Sequence, residues 1–321
     1  MRFKLKKFFL VTGGAGFIGS NLVRRLLKNE ENYVYVFDNF SSGLISNLPT
    51  ENSRLKIHKV DLKNCFKNWP QINEINTLFH LAANADVRGG EKDRNIDLDE
   101  NVLVTKSICD YASKNNIDKV AFSSSATVYG EPNVFPTPES YCGPQTSVYG
   151  ASKLSGEAYL QAYAEYGDFK LTIFRFVSWV GHSYSHGVIY DFVRKLKNNP
   201  KKLLILGDGT QKKSYLDVQD GVEGLFKLSE LNIQKCNIFN LGHQQIIDVN
   251  SLADIVCKRM NLTGVEYTYT GGNKGWTGDS PIVHLDINKA KEFGWIPLID
   301  IKSAIGNTVE YLMSNEKNLF R

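Results

Sequence analysis

Two tyrosines in the sequence stand between valine and glycine, and only one of them is followed by a lysine one helical turn later. Tyr149 lies in SVYGASK with Lys153 four residues on, whereas Tyr129 lies in SSSATVYG with Asn133 at that distance. On a helix, residues i and i+4 share one face. An ammonium group near a phenol favours the phenolate, so we expect Lys153 to lower the pKa of Tyr149. The spacing makes Tyr149 the candidate for proton transfer and leaves Tyr129 as a packing residue.

A glycine-rich turn near the N-terminus is the second chemical signal. Gly13, Gly16 and Gly19 follow an apolar run and precede a helical pattern. Alone, this triplet also fits a tight turn without a ligand, but glycines before a helix N-terminus let a pyrophosphate approach the backbone. Asp38 follows Gly19 by 19 residues at the end of the next strand, where its carboxylate would bind the adenosine ribose. No arginine follows Asp38 directly, so the pattern favours NAD over NADP.

Strand and helix patterns alternate through the first half of the chain, and these elements must position both signals. Strands are predicted at 8–12, 33–38, 55–61, 75–83, 119–125 and 171–176. Helices are predicted at 18–29, about 98–115 and 147–166. Repeated strand–helix–strand units indicate an α/β fold, a Rossmann-type doubly wound parallel sheet. We expect an NAD-binding domain at 1–176, a strand near 237–242 that rejoins its sheet, and a smaller, interleaved substrate-binding domain at 177–321.

Composition restricts the partners and the compartment. The chain has 321 residues and a net charge of +4 without a basic tract, which argues against nucleic acid as a partner. No stretch approaches the ~18 apolar residues of a membrane span. The spacing of the five cysteines predicts free thiols, no metal site and a cytoplasmic location; they are Cys65, Cys109, Cys142, Cys236 and Cys257.

Five short motifs occur in order along the chain, namely TGGAGFIG, DNFSSG, LAA, SSSATVYG and YGASK. In this order and spacing the sequence resembles the extended short-chain dehydrogenase/reductases, and more narrowly the nucleotide-sugar epimerases. The similarity continues through RFVSWVG, GDGTQKKSYLDVQD and GWTGD, and so spans nearly the whole chain. The resemblance implies that Tyr149 is the general base and that Lys153 is its electrostatic partner and a ligand of the nicotinamide ribose. It also implies that Ser125, assisted by Thr127, hydrogen-bonds the sugar O4.

The activity implied by the resemblance is NAD-dependent oxidation at C4 of a nucleotide-diphosphate sugar, as in a 4-epimerase. An alternative with the same residues is a C4-dehydrogenase that releases a 4-keto product, for example from a GDP-heptose or another bulky sugar, with separate reoxidation of NADH. A non-catalytic NAD(H)-sensing protein is a third interpretation, which the Tyr–Lys pair disfavours. Related 4,6-dehydratases have Thr-Asp-Glu where this chain has Ser125, Ala126 and Thr127, so we expect no dehydration.

The predicted contacts fall into two groups. Those with NAD are Gly13, Gly16, Phe17, Ile18, Asp38, Asn39, Ser41, Ser42, Gly43, Asp61, Leu62, Leu81, Ala82, Ala83, Ser123, Tyr149 and Lys153. Those with the substrate are Arg88, Ser125, Ser178, His186, Lys213 and Lys274.

The substrate half departs from the family pattern. Lys213 and Lys274 stand where relatives use arginine on the diphosphate, and lysine lacks the bidentate fork of arginine. Ser178 replaces a larger asparagine and would leave room for a bulkier sugar. His182 and His186 have the spacing of a metal pair but lack an evident acidic third ligand, so His182 is expected to pack in its loop. The resemblance also implies a homodimer formed through a four-helix bundle, with two helices from each subunit.

Overall fold

The computed structural model describes residues 5–64, 66–316 and 319, and the predicted free thiol of Cys65 lies outside them. The first six strands are β1 Lys7–Thr12, β2 Asn32–Asp38, β3 Leu55–Lys59, β4 Thr77–His80, β5 Lys119–Ser125 and β6 Lys170–Phe176. The later strands are β7 Ser178–Val180, β8 Lys202–Ile205, β9 Lys212–Lys213, β10 Tyr215–Asp217, β11 Cys236–Leu241, β12 Ile247–Asp248, β13 Glu266–Tyr269 and β14 Ile282–Val283.

Helices connect and cover these strands. They are α1 Phe17–Leu27, α2 Gly89–Lys92, α3 Asn95–Asp97, α4 Val104–Lys114, α5 Val148–Tyr166, α6 Val188–Asn198, α7 Val218–Ser229, α8 Val249–Arg259, α9 Asn288–Glu292 and α10 Ile301–Ser314. Short 3-10 turns occur at Ile45–Asn47, Phe66–Asn68 and Ala126–Tyr129. A π-helical stretch, Leu98–Leu103, joins α3 to α4.

Seven strands form one parallel sheet in the order β11-β6-β5-β4-β1-β2-β3. The direction of winding reverses between β1 and β4, so the loops that follow these two strands diverge at the carboxyl edge of the sheet. In open α/β sheets this reversal point is where a dinucleotide binds. The predicted Rossmann-type fold, including the late strand near 237–242, is therefore confirmed.

Alternating side chains of the strands enter two separate cores. Phe9 and Val11 of β1 face the core that α1 and α7 cover, and Leu10 faces the core that α4 and α5 cover. This alternation follows from the two-residue repeat of a strand. It explains why the strands of this sheet are apolar almost throughout, since both faces are buried.

A third core lies in the second half of the chain. It is built mainly from α6, α8 and α10, with Phe192, Val256 and Val309 among its buried residues. However, α7 and β11 belong to the layers of the seven-stranded sheet, so the C-terminal half contributes to both regions. The domain division between residues 176 and 177 stays a prediction.

The helix predicted over about 98–115 is interrupted. Its first part is the π-helical stretch, and the regular helix α4 begins only at Val104. The side chain of Asn101, within this stretch, is buried and donates hydrogen bonds to Asp97 Oδ1 (3.0 Å) and Ser152 Oγ (2.9 Å). Single π-helical turns are often found at functional sites. Here the irregular turn carries a polar side chain to the N-terminal part of α5.

Candidate active site

The glycine-rich loop after β1 packs tightly against its neighbours. Gly13 has a φ of 68°, in the left-handed region, and a Cβ there would lie 2.8 Å from the Ala82 nitrogen. A Cβ on Gly19 would lie 2.1 Å from the Gly13 carbonyl oxygen. Glycine is therefore required at both positions for β1, the end of β4 and α1 to meet.

The N-terminus of α1 lacks a side-chain cap. The N-cap residue, Gly16, makes no side-chain capping bond, and within the described chain the first turn of α1 carries no acidic residue. A Cβ on Gly16 would meet one non-neighbouring atom of the described chain within 4 Å, the Gly13 carbonyl oxygen at 3.3 Å. The N–H groups and the positive dipole end of this helix therefore lie beside the glycine-rich turn without a side-chain cap, which fits a pyrophosphate. The predicted contacts Phe17 and Ile18 begin this helix.

Asp38, at the end of β2, connects the next loop to the glycine-rich turn. It is only 7% exposed, and its carboxylate accepts hydrogen bonds from the Ala15 nitrogen (2.9 Å) and the Phe40 nitrogen (2.8 Å). A carboxylate oxygen can accept a second hydrogen bond, so both oxygens keep capacity for ribose hydroxyls. The sequence suggested the ribose role for Asp38 but not this structural one. The other predicted residues of this loop are Asn39, Ser41, Ser42 and Gly43.

The remaining cofactor candidates lie after β3 and β4. They are Asp61, Leu62, Leu81, Ala82 and Ala83. The backbone nitrogens of Leu81 and Ala82 donate to Thr12 Oγ1 at 3.2 and 3.3 Å, which fixes the chain as it leaves β4. The predicted strand 75–83 accordingly ends at His80, and the small residues after it line the edge where the two halves of the sheet diverge.

Four predicted catalytic residues come together where β5 meets α5. Ser147 caps α5 by accepting a hydrogen bond from the Gly150 nitrogen at 3.0 Å, which places Tyr149 in the first helical turn. Lys153 follows one turn later, with its Nζ 5.9 Å from the centre of the Tyr149 ring. Ser125, at the end of β5, hydrogen-bonds Tyr149 and accepts a hydrogen bond from Thr127 Oγ1 at 2.9 Å.

In the protein without ligands, the pKa of Tyr149 is raised, which is opposite to the direction expected from the sequence. Burial of the phenol raises its pKa above the ordinary value, and the negative charge of Asp97 raises it further. The hydrogen bond with Ser125 acts in the opposite direction but is the smallest of the three effects. The expectation of a lowered pKa is therefore wrong for the protein without ligands, because desolvation of the phenolate dominates.

Lys153 is a buried cation, only 3% exposed. Burial lowers the pKa of its ammonium group to about 8, although the charges of Asp97 and Glu157 oppose that shift. Its Nζ donates a hydrogen bond to the Ser123 carbonyl oxygen at 2.9 Å. Ser123 is thus a contact of the lysine, and its own hydroxyl donates to the His80 carbonyl oxygen at 3.1 Å.

Tyr129 lies apart from this cluster in a buried network of its own. Its hydroxyl donates to Asn240 Oδ1 at 2.7 Å, and the guanidinium of Arg175 lies 4.8 Å from the centre of its ring. Burial raises the pKa of Tyr129 to about 12. Tyr129 therefore connects the 3-10 turn after β5 to β11, and its hydroxyl is not free for proton transfer.

Sequence reasoning missed Asp97, which lies beside the Tyr–Lys pair. Its charge acts on both Tyr149 and Lys153, and Asn84 and Asn101 donate hydrogen bonds to it. The available signal was the pair of polar residues Asp97 and Asn101, four apart at the start of a predicted amphipathic helix.

Two of the predicted substrate residues meet at one tryptophan. Arg88 lies 5.9 Å and Lys213 Nζ lies 4.7 Å from the centre of the Trp276 ring. The Trp276 indole nitrogen is buried and has no hydrogen-bond partner among the described residues. Trp276 lies in the GWTGD motif but was not predicted as a contact.

Both predicted phosphate-binding lysines form ion pairs with neighbouring carboxylates. Lys213 Nζ lies 2.5 Å from Asp279 Oδ1 in a largely buried pair. Lys274 Nζ lies 2.6 Å from Glu131 Oε2 in a pair with solvent access. Their positive charges are thus partly compensated within the chain, which the sequence did not reveal.

Ser178 and the two loop histidines lie between β6 and α6. Ser178 is exposed at the start of β7, which pairs in parallel with β10. The exposed ring of His186 stacks on Tyr184 at 6.4 Å between centroids, and His182 packs against Tyr311 at 4.8 Å. Within the described ranges no three His, Cys, Asp or Glu side chains are grouped so that they could hold a metal ion. In the same part of the chain, every helix is too short or too polar to cross a membrane.

Comparisons with known proteins agree with this geometry. A provisionally named UDP-glucose 4-epimerase of Methanocaldococcus jannaschii is 34% identical over 318 residues, 96% of this chain and 99% of that protein. UDP-glucuronic acid decarboxylase 3 of Arabidopsis thaliana is 28% identical, over 92% of this chain and 86% of that protein. The structure of UDP-glucose 4-epimerase from Thermotoga maritima with UDP-glucose superposes with a TM-score of 0.86 at 30% identity, covering 96% and 99% of the two chains.

The sequence match to a family is equally extensive. Residues 9–242 match the NAD dependent epimerase/dehydratase family, a range that contains the glycine-rich loop, Asp38, Ser125, Tyr149 and Lys153. The glycine-rich loop, the N-terminus of α1 and the acid at the end of β2 are the groups that a bound NAD requires. This protein therefore belongs to the NAD dependent epimerase/dehydratase family, and its cofactor is NAD.

Proposed function

We propose that this protein is a nucleotide-sugar 4-epimerase that oxidises and re-reduces C4 of a nucleotide-diphosphate sugar. The observation that carries the proposal is the cluster of Tyr149, Lys153, Ser125 and Thr127 at the carboxyl edge of the sheet. A phenol, a buried ammonium and two hydroxyls are the groups needed to move a proton at a sugar hydroxyl.

Each side chain has one task in the proposed reaction. Tyr149 takes the proton of the C4 hydroxyl and returns it after the sugar has turned over. Ser125 holds the sugar O4 by a hydrogen bond, and Thr127 orients the Ser125 hydroxyl. Lys153 supplies positive charge beside the phenolate and hydrogen-bond donors for the nicotinamide ribose. Bound NAD supplies the reversible hydride acceptor.

The residues after β5 argue against elimination of water. Ser125, Ala126 and Thr127 run from the end of β5 into a 3-10 turn, and none of them carries a carboxyl group. A dehydratase needs an acid and a base to remove water across C5 and C6. A reaction confined to C4 needs a single base, which the cluster has in Tyr149.

The substrate would lie between this cluster and the region around Trp276. Arg88 and Lys213 both bring positive charge close to the tryptophan ring, and a diphosphate would be attracted there. We propose contacts from these residues and from Lys274, Ser178 and His186. The small Ser178 at an exposed position would admit a sugar larger than a hexose.

One incubation separates the proposed function from its alternatives. Purified protein with NAD is given a panel of UDP- and GDP-linked hexoses and heptoses, and products are followed by proton NMR and NADH absorbance. A C4 epimer without net NADH supports the epimerase. A 4-keto product with stoichiometric NADH would instead identify the C4-dehydrogenase. Binding of NAD without turnover of any sugar would favour a non-catalytic role. Preference for a plain hexose over the heptoses would argue against an enlarged sugar site at Ser178.

We further propose a homodimer through α4 and α5. The two helices pack on each other, and Tyr163 of α5 donates to Asp110 of α4 at 2.7 Å. The same region exposes the apolar side chains of Leu98, Leu103 and Tyr159. Two such pairs would form a four-helix bundle. Sedimentation as a monomer at working concentration would contradict this assembly.

The NAD-binding part would consist of residues 1–176 with β11, and the substrate-binding part mainly of residues 177–321. A cytoplasmic location is supported by the cysteines among the described residues, since Cys109, Cys142, Cys236 and Cys257 are all free thiols.

A further inference from the structure

Asp97 is a buried carboxylate to which the proposed reaction gives no task. It is 0% exposed. Its Oδ1 accepts hydrogen bonds from Asn84 Nδ2 at 2.9 Å and Asn101 Nδ2 at 3.0 Å. Its Oδ2 is buried and has no hydrogen-bond partner among the described residues. Leaving a buried carboxylate oxygen unsatisfied is costly, so such a group calls for an explanation.

The surroundings fix the position of this carboxylate. A Cβ on Gly90 would lie 2.9 Å from Asp97 Oδ2, so α2 closes over that oxygen. On the other side, Asn101 Nδ2 donates to Ser152 Oγ, whose hydroxyl donates to the Tyr149 carbonyl oxygen at 2.8 Å. A continuous chain of hydrogen bonds therefore holds Asp97 in register with the first turn of α5.

Three groups close to Lys153 offer it no uncompensated negative charge. Glu157, on the same helix, is already paired with Arg175 of β6 through two hydrogen bonds of 3.0 and 2.7 Å. His80 of β4 is buried, and burial lowers its pKa to about 3, so the ring is neutral near pH 7. The phenol of Tyr149 is neutral too, because its pKa is raised. None of these groups provides Lys153 with an uncompensated negative charge.

Asp97 on α3 is the remaining anion that acts on Lys153. Its charge raises the pKa of Lys153. Burial raises the pKa of Asp97 above its ordinary value, while the hydrogen bonds from Asn84 and Asn101 and the charge of Lys153 oppose that shift. Asp86 acts on Asp97 as well, but its side chain is exposed and solvent screens it. Asp97 therefore differs from the other nearby acids in being buried and in having no second cation among the described residues.

We propose that Asp97 is a positioning residue that acts through Lys153, as the counter-ion that keeps the buried ammonium protonated and sets the pH range in which Tyr149 exchanges its proton. This inference rests on the proposed roles of Tyr149 and Lys153. A negative charge favours the protonated form of both neighbours, because it stabilises an ammonium and destabilises a phenolate. Removing the charge should therefore lower the pKa values of both groups together.

The direct test is a lysine titration of the Asp97→Asn variant. Protein labelled with ¹³C at lysine Cε is titrated by NMR, and the Lys153 signal is assigned by its loss in Lys153→Met. The unmodified chain should show this lysine titrating near pH 8, below the ordinary lysine pKa of about 10.4. In Asp97→Asn the pKa of Lys153 should fall by roughly one unit or more.

The matched control is Asp99→Asn, which removes an exposed carboxylate from the adjoining π-helical stretch and should leave the Lys153 titration unchanged. Asp97→Glu keeps the charge and should restore most of the lysine pKa. If the asparagine variant fails to fold, Asp97→Ser is measured in its place. A Lys153 pKa that equals the unmodified value in a folded variant without the carboxylate overturns the proposal.

A second readout uses catalysis once a substrate is known. In Asp97→Asn both limbs of the turnover–pH profile should move to lower pH, because both pKa values fall. A purely structural role would reduce turnover without moving either limb. The NMR titration needs no substrate, so a failure of the proposed epimerase activity leaves it interpretable. A lysine shift without any sugar turnover would uphold the charge coupling and refute the function.

Discussion

The ammonium group of Lys153 donates a hydrogen bond to the carbonyl oxygen of Ser123 at 2.9 Å, which ties the first turns of α5 to the end of β5. A lysine ammonium has three donors, so two remain for other partners. The cation is thus held in a buried position by the protein itself. Its alignment with Tyr149 depends on the packing of a helix on a strand as well as on the four-residue spacing.

Tyr149→Phe should reduce turnover by at least about 10²-fold, the usual contribution of a positioned general base. The ring and its packing remain, so the fold should be retained. Steady-state turnover and circular dichroism measure the two effects. Unchanged turnover on the true substrate would refute the role of Tyr149.

The matched control for that change is Tyr129→Phe. It removes the donor to Asn240 Oδ1 and leaves a buried amide oxygen without that partner. We expect a loss of about 1–3 kcal/mol in the free energy of unfolding. Turnover of the folded protein should stay close to normal, since Tyr129 lies outside the catalytic cluster.

Asp38→Asn should weaken NAD binding by about tenfold or more. The carboxylate holds the Ala15 and Phe40 nitrogens, and an amide has only one oxygen to replace its two. The variant should also discriminate less against NADP, because a negative charge no longer repels a 2′-phosphate. Calorimetric titration measures the affinities of the variant for NAD and for NADP. As a control, Asp99→Asn should leave both affinities unchanged.

Lys213→Met should destabilise the protein more than Lys274→Met. Lys213 pairs with the buried Asp279, and removing the lysine leaves a buried carboxylate unpaired at a cost of about 3–5 kcal/mol. Lys274 and Glu131 form an exposed pair worth at most about 1 kcal/mol. Denaturant unfolding of the two variants compares them.

The companion variant Lys213→Met/Asp279→Asn removes both charges and should recover part of the lost stability. With the fold restored, its KM for a nucleotide sugar then reports the contribution of Lys213 to binding. Equal destabilisation by the two single changes would contradict the distinction between a buried and an exposed pair.

His80 should make stability depend on pH below neutrality. Burial lowers its pKa from 6.5 to about 3, and its ring nitrogens lie 2.9 and 3.1 Å from the hydroxyls of Thr12 and Thr105. Below pH 6.5 the unfolded chain therefore binds a proton on His80, whereas the folded protein does not bind it until the pH approaches 3. The free energy of unfolding should fall by roughly 1.4 kcal/mol for each pH unit as pH drops from 6.5 towards 3.

The measurement is chemical unfolding at several pH values for the unmodified chain and for His80→Gln. The difference in the free energy of unfolding between the unmodified chain and His80→Gln should become smaller as pH falls, because the variant has no histidine to protonate at position 80. A constant difference for His80→Gln would mean that the folded protein accepts the proton.

The sequence by itself determined the fold class and most elements of the sheet. The predicted strand 119–125 is β5 to the residue, and the helix predicted at 147–166 is α5 within one residue. The reason is local: both faces of the sheet are buried, so strands appear as apolar runs, and glycines mark the turns. The i, i+4 spacing of Tyr149 and Lys153 also follows from a single helix.

Tertiary structure alone decided the charges and partners within the site. Asp97 reaches the Tyr–Lys pair because an irregular π-helical turn packs on α5, and Lys213 meets Asp279 across 66 residues of chain. Burial set the direction of the pKa of Tyr149, which the spacing of Lys153 had suggested wrongly. Desolvation and long-range pairing depend on which surfaces become buried together in the folded chain. A local sequence pattern does not show which surfaces these are.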